Sequence, residues 1–331
     1  MGLPMLLGCV SLWAGLALAE VGSSFINCKE YFYKEAEPEG FDTQETRKIC
    51  QRFNNIYHFA TLYDRQRRTP HWSAYTLKNK SCDKQTQRMY TWFVEPQLKD
   101  GNTCTEMKIE SKSGLTKDYR KSTQAICEDY ENTNYDRGHL NPNSFQCDSG
   151  RTATFTLTNA VPMDPCFNRI HWGKLEKSLK DKLRKNCLNE SGTAYLVTGA
   201  VGSTEKIPKE NGDKEGDRNR TYDRVVVPSH IWTAVCCDHK YNNNLKFSFA
   251  FLAENKEEPK LRVFSAEQLN EELRKMYKSQ NIRVLADDCN AQSPKTDEVI
   301  KSMKKDLNGA FRDPKIEFQY PPPSKKKKVF G

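Results

Sequence analysis

Tyr135-Asp136-Arg137-Gly138-His139-Leu140 places a carboxylate, an arginine, a glycine and a histidine within six residues. An unperturbed imidazole titrates near pH ~6.5, so His139 can take a proton from water at neutral pH. The guanidinium of Arg137 is planar and always charged, which suits it to an anion such as a phosphate. Gly138 is expected to lend the backbone between them unusual angles. Asp136 would repel a phosphate beside it and is assigned a structural role, holding the segment. Residues 127–150 read as loop.

A second cluster follows: Asn159-Ala160-Val161-Pro162, then Phe167-Asn168-Arg169-Ile170-His171-Trp172-Gly173-Lys174-Leu175-Glu176. Residues 168–186 read as a helix. Trp172, Leu175, Leu179 and Leu183 form its apolar stripe, lysines cover the other side, and Pro165 stands just before it. Asn168 has two readings. It can cap the helix, for which asparagine is among the best residues. Its amide oxygen can also ligate a hard cation, because magnesium keeps most of its waters and needs few protein ligands when a phosphate supplies another oxygen. Both can hold. On a plain helix His171 lies ~60° around the axis from Asn168, which makes it a second candidate base. Glu176 lies ~12 Å along and ~80° around, too far for shared coordination.

The two clusters in this order resemble those of the DNA/RNA non-specific endonuclease family. Residues 59–64, 72–75, 195–200, 225–237 and 247–255 extend the likeness, which runs from Cys28 to Cys289. The resemblance implies an α+β fold, with an antiparallel central sheet flanked by helices and a ββα-metal element at the active site. It implies hydrolysis of DNA and RNA with His139 as general base, Asn168 holding Mg2+ or Mn2+, and Arg137 on phosphate. Asn159 matches a family residue near the scissile phosphate, and Glu176 one that orients metal-bound water. A turn asparagine and a solvated helix-face glutamate are the plain alternatives for these two. One departure is Lys180, where the family often has arginine; lysine keeps the charge and loses the bidentate fork. The rival readings are a weak or inactive nucleic-acid-binding protein on the same fold, and a phosphodiesterase for small nucleotides.

Composition frames this. The 331 residues are 37% hydrophobic and 29% charged, enough for a core and against disorder of the whole chain. Residues 1–19 read as a secretory signal peptide ending in Ala17-Leu18-Ala19, residues 20–290 as the endonuclease domain, and residues 291–331 as a helical extension with a basic Pro/Lys tail. No later segment is apolar enough to span a bilayer. Twelve cysteines, of which Cys9 lies in the leader, leave eleven for the mature chain. Their spread fits disulfides in an oxidising compartment, with an odd thiol left over and adjacent Cys236 and Cys237 paired to different partners. Sequons at Asn79, Asn189 and Asn219 fit a secreted glycoprotein. The formal net charge of +9 suits a polyanionic substrate, although Lys325–Lys328 carry four of those charges on a tail read as solvated.

Strands are expected at 72–77, 89–94, 154–158, 195–201, 224–227, 231–236 and 245–253, with a turn at Pro228 and a polar loop over 203–219. Residues 266–277 and 297–307 read as amphipathic helices. Strands and helices without regular alternation argue for α+β.

Overall fold

The computed structural model describes residues 21–78, 91–210, 220–308, 311 and 317–318. Residues 1–19, expected to be a signal peptide, and Asn79, Asn219 and Lys325–Lys328 lie outside the described residues. The elements in chain order are β1 (Val21–Gly22), β2 (Thr46–Phe53), β3 (Ile56–Asp64), β4 (Thr69–Thr76), β5 (Phe93–Val94), β6 (Lys108–Ile109), α1 (Lys117–Thr123) and β7 (Asp136–His139). Then come α2 (Asp148–Ala153), β8 (Ala160–Met163), α3 (Gly173–Asn186), β9 (Thr193–Ile207), β10 (Val225–Asp238), β11 (Phe247–Glu254), β12 (Leu261–Phe264), α4 (Ala266–Tyr277), α5 (Pro294–Leu307) and β13 (Glu317–Phe318). Among the described residues one sheet has the order β1-β2-β3-β4-β9-β10-β11-β12-β13. Every pair in it is antiparallel except β12–β13. The fold is α+β, as expected.

Both faces of the sheet are covered, so its central strands read as nearly unbroken apolar runs. Successive side chains still point to opposite faces. Tyr75, Ile231, Val235, Phe249 and Phe251 join α3 and α5 in one core. Trp72, Ala74, Trp232, Ala234 and Leu252 join α4 and the N-terminal segment in the other. The adjacent cysteines of β10 follow the same rule. Cys237 is bonded to Cys187 at the end of α3, and Cys236 to Cys289 beyond α4, so one strand is stapled to both layers. Cys28–Cys50 ties the N-terminal segment to β2. Cys147 is disulfide-bonded too, while Cys104, Cys127 and Cys166 are free thiols.

The helices begin where capping chemistry puts them. α4 covers the expected residues and starts in a capping box between Ser265 and Gln268. α5 starts three residues earlier than expected because Ser293 caps it and Pro294 occupies the first turn. α5 lies against α3, where Asp306 accepts from Ser178 at 2.9 Å and pairs with Lys182 at 2.8 Å. No helix among the described residues is long and apolar enough to cross a membrane.

Four strand and loop expectations change. Of 89–94 only Phe93–Val94 is strand, and Met89 and Tyr90 lie outside the described residues. Residues 154–158 form a turn and the start of a 3-10 helix. Their alternation of threonines serves a buried carboxylate, since Glu95 accepts from Thr156 at 2.7 Å. Pro228 does not break the chain: β10 runs through it with register shifts on either side. Residues 203–207 continue β9 rather than opening a loop.

Candidate active site

The DRGH segment is a strand, not the loop expected. β7 pairs antiparallel with β8, setting Asp136 opposite Met163, Arg137 opposite Pro162, Gly138 opposite Val161 and His139 opposite Ala160. Helix follows directly, beginning at Pro165, so the order is ββα. Asp164 starts that helix by accepting from the Phe167 amide at 2.9 Å. Asn255 anchors the junction. Its side chain accepts from the Asp164 amide at 2.9 Å and donates to the carbonyls of Pro162 and Pro228 at 3.0 and 2.9 Å.

Gly138 is required for space rather than angle. Its φ is not in the left-handed region, and a Cβ there would overlap Sδ and Cγ of Met163 on the partner strand. The helix is not plain either. Phe167–Trp172 is a π-helical turn, and the amide of Gly173 donates to the carbonyl of Asn168, five residues back. The wider turn rotates Asn168 away from the positions that a 3.6-residue period gives relative to His171 and Glu176. A Cβ on Gly173 would come within 3.3 Å of the Asn168 carbonyl.

Asn168 reaches back to β7. Its Nδ2 donates to Oδ2 of Asp136 at 3.0 Å, and the same carboxylate takes both Nε and Nη2 of Arg169 at 2.7 and 2.5 Å. Asp136 thus holds the helix start, the structural role assigned to it. With the nitrogen end of the Asn168 amide fixed, Oδ1 makes no hydrogen bond among the described residues and is a hard neutral donor available to a cation. Asn168 is half-buried, and its side chain caps no amide. His171 faces elsewhere, with its ring 5.4 Å from that of Phe311.

His139 and Arg137 share an aromatic surround. The imidazole lies 5.0 Å from the Trp92 ring and 4.8 Å, edge to face, from Phe155. The Arg137 guanidinium stands over Trp92 at 5.8 Å and Tyr130 at 5.5 Å. Its Nη2 donates to the Cys127 carbonyl at 3.1 Å, and its Nη1 has no hydrogen bond among the described residues. Trp92 therefore sits between the base candidate and the phosphate-binding candidate. Nothing in the sequence near Trp92 pointed to it, because the contact joins segments 45 positions apart.

Asn159 is fully buried, and its amide is engaged on every side. It donates to the carbonyls of Asn141 and Thr154 at 3.1 and 3.0 Å and accepts from Ser73 and the Asn141 amide, both at 2.9 Å. Its own carbonyl accepts from the Leu140 amide at 2.9 Å, which fixes the chain just after His139. Glu176 lies on α3 in a recess formed by Tyr75, Pro142, Phe145 and Trp172. Burial pushes its carboxyl up to about 8, opposed only by the Trp172 side chain. A nearby divalent cation is the kind of partner that would reverse such a shift. The buried group Cys187, Cys237 and His239 has the spacing of metal ligands, but its two sulfurs are joined to each other.

The family model for "DNA/RNA non-specific endonuclease" matches residues 37–287. The chain belongs to that family. It is 32% identical over 238 residues to the endonuclease domain-containing 1 protein of Homo sapiens, covering 72% of this chain and 44% of that one. The Mus musculus counterpart is 33% identical over 236 residues, covering 70% and 43%. The chain thus spans less than half the length of these two relatives. A nuclease of Nostoc sp. is 24% identical over 179 residues, covering 54% and 51%. Among solved structures, the crystal structure of the EndoG/EndoGI complex matches with a TM-score of 0.45 and 18% identity, over 76% of this chain and 89% of that one.

Proposed function

We propose that this protein is a secreted, metal-dependent endonuclease that hydrolyses phosphodiester bonds in DNA and RNA. One observation carries the reading: Asp136, next to Arg137 on the strand that ends at His139, holds the Asn168 amide nitrogen and leaves its oxygen available. Base, anion contact and cation ligand thereby converge on one ββα unit.

In this reading His139 takes the proton of the attacking water, and Trp92 and Phe155 fix the plane of its ring. Arg137 contacts non-bridging oxygens of the phosphate through the guanidinium edge that faces away from Cys127. Asn168 Oδ1 would hold Mg2+ or Mn2+, and the cation, when bound, supplies positive charge to the leaving oxygen and the developing phosphorane charge. Glu176 orients water near that ion. Asn159 acts by positioning the residues on either side of Leu140, since its own amide has no valence left for substrate. Contacts to phosphate carry no base information, so cutting shows little sequence preference.

The leader at residues 1–19, the disulfides and the exposed Asn189 in the turn Leu188–Glu190 support a secreted glycoprotein. The endonuclease domain is assigned to residues 20–290. Residues 291–331 form an extension whose helix is tied to α3 through Asp306. Lys180 supports the alternative of a weak enzyme that chiefly binds nucleic acid.

Asn168→Ala tests the assignment. Cleavage is expected to fall at least tenfold, with the Mn2+ concentration for half-maximal rate raised by a similar factor. Unchanged metal dependence would remove Asn168 from the site.

A further inference from the structure

The β3–β4 turn reads Arg65-Gln66-Arg67-Arg68, three guanidiniums in four residues. They line an open groove of about 890 Å³, with Lys206 of β9 and the hydroxyl residues Ser122 and Thr123 on its other walls. Two acids, Glu45 and Asp64, also border it. Asp64 is buried, and its charge is taken up within the turn: it accepts from the amides of Gln66 and Arg67 at 2.8 and 2.9 Å, faces His71 at 3.3 Å and meets the Nε of Arg67 at 3.5 Å, which leaves the half-exposed end of the Arg67 guanidinium toward the groove. Arg65 meets Glu45 and Asp100 only at 3.7 and 3.6 Å, loose surface pairs of little worth.

Arg68 is the telling residue. It has no carboxylate partner among the described residues and donates instead to the carbonyls of Lys121 and Arg224 at 3.0 and 3.1 Å. Burial and the neighbouring Arg224 hold its basicity below the ordinary arginine value. Its φ is 55°, in the left-handed region, where a turn built for stability would place glycine or asparagine. Positive charge gathered in a strained turn beside an open groove, with Arg68 sharing the Asp129 field with Arg224, is the arrangement of an anion site.

Two links join this groove to the DRGH strand. Arg68 and Arg224 share the Lys121 carbonyl, and Arg224 is clamped to Asp129 at 2.6 Å. Asp129 lies in the 3-10 turn Cys127–Tyr130, whose ends hold Arg137. On the other side, Lys206 follows Glu205, which accepts from the hydroxyl of Tyr135 at 3.0 Å.

We propose that this groove binds the phosphate backbone of the same nucleic-acid strand that is cut at His139, several nucleotides from the scissile bond. The inference rests on the nuclease reading for the identity of the strand. Continuity with that site favours nucleic acid over a sulfated glycan.

The test is fluorescence anisotropy of the mature protein in EDTA, with labelled strands of about 30 and about 4 nucleotides, at several salt concentrations. In the variant Arg65→Gln/Arg67→Gln/Lys206→Gln, affinity for the long strand is expected to fall at least ~10-fold and the salt slope to shrink by about 2. The advantage of the long strand over the short one should largely disappear. If the triple variant does not fold, Arg67→Gln alone, with its side chain 38% exposed, reads the same slope with a step of about 0.7. A folded variant with unchanged affinity and slope overturns the proposal, as does loss of heparin binding with strand binding intact. Plasmid cutting by wild type is scored separately. Long-strand binding that depends on the groove in a protein that does not cut leaves the groove standing and removes the nuclease reading. Cutting with unaltered binding removes the groove alone.

Discussion

At the residue scale, Met163, 25 positions away in the chain, closes the space beside Gly138. Gly138→Ala is therefore expected to overpack the β7–β8 pair and cost about 1–3 kcal/mol, read by thermal melting. A melting point equal to wild type would show that Met163 yields freely. That constraint was not legible locally, and the backbone freedom expected of Gly138 is not what its position uses. The residue types of His139, Arg137 and Asn168 could be read from their segments alone, whereas nothing local says that the Asn159 amide is fully engaged inside the protein. Glu176 gives a pH prediction. With its folded-state value raised to about 8 from an ordinary 4.5, the unfolded chain releases a proton that the folded protein keeps. Its contribution is thus most favourable below pH 4.5 and is lost as pH rises toward 8, with a slope of at most about 1.4 kcal/mol per pH unit. Glu176→Gln should flatten the metal-free stability profile across that window. Equal slopes in both proteins would show that Glu176 ionises normally.

At the element scale, long periodic segments were legible and short or capped ones were not. α4 was readable because Leu269 and Leu273 repeat at helical spacing and Ser265 caps the start. The four residues of β7 were not, since a charged, glycine-containing segment has no strand period of its own and is defined by its pairing to β8. Thr154 to Thr158 misled because β-branched alternation looks the same whether it builds a sheet or, as here, satisfies Glu95. The π turn after Cys166 was invisible to a 3.6-residue period, yet it aims Asn168 at β7. Asp136→Ala tests that aim. Losing the acceptor for both Asn168 and Arg169 is expected to lower cleavage ~10-fold or more and weaken metal dependence, with little change in melting because Arg169 is exposed. Full activity in this variant would mean that Asn168 is positioned by other contacts.

At the scale of the whole molecule, two helical layers are pinned to one sheet by cysteines that neighbour each other in the chain. The odd-numbered cysteine inventory was legible, whereas the pairing needed the sheet. Cys187→Ser/Cys237→Ser should destabilise the protein by about 2–5 kcal/mol in calorimetry, acting through the end of α3. An unchanged melting point would show that the core alone fixes that helix. The account as a whole rests on His139 acting as base beside an Asn168-bound cation. The most direct measurement is plasmid digestion by the purified protein with Mg2+, with EDTA, and with His139→Ala under the same conditions. Cutting that requires the metal and falls by at least ~10²-fold in the variant is the predicted result. Equal cutting by wild type and variant, or no cutting by wild type in either Mg2+ or Mn2+, would contradict it.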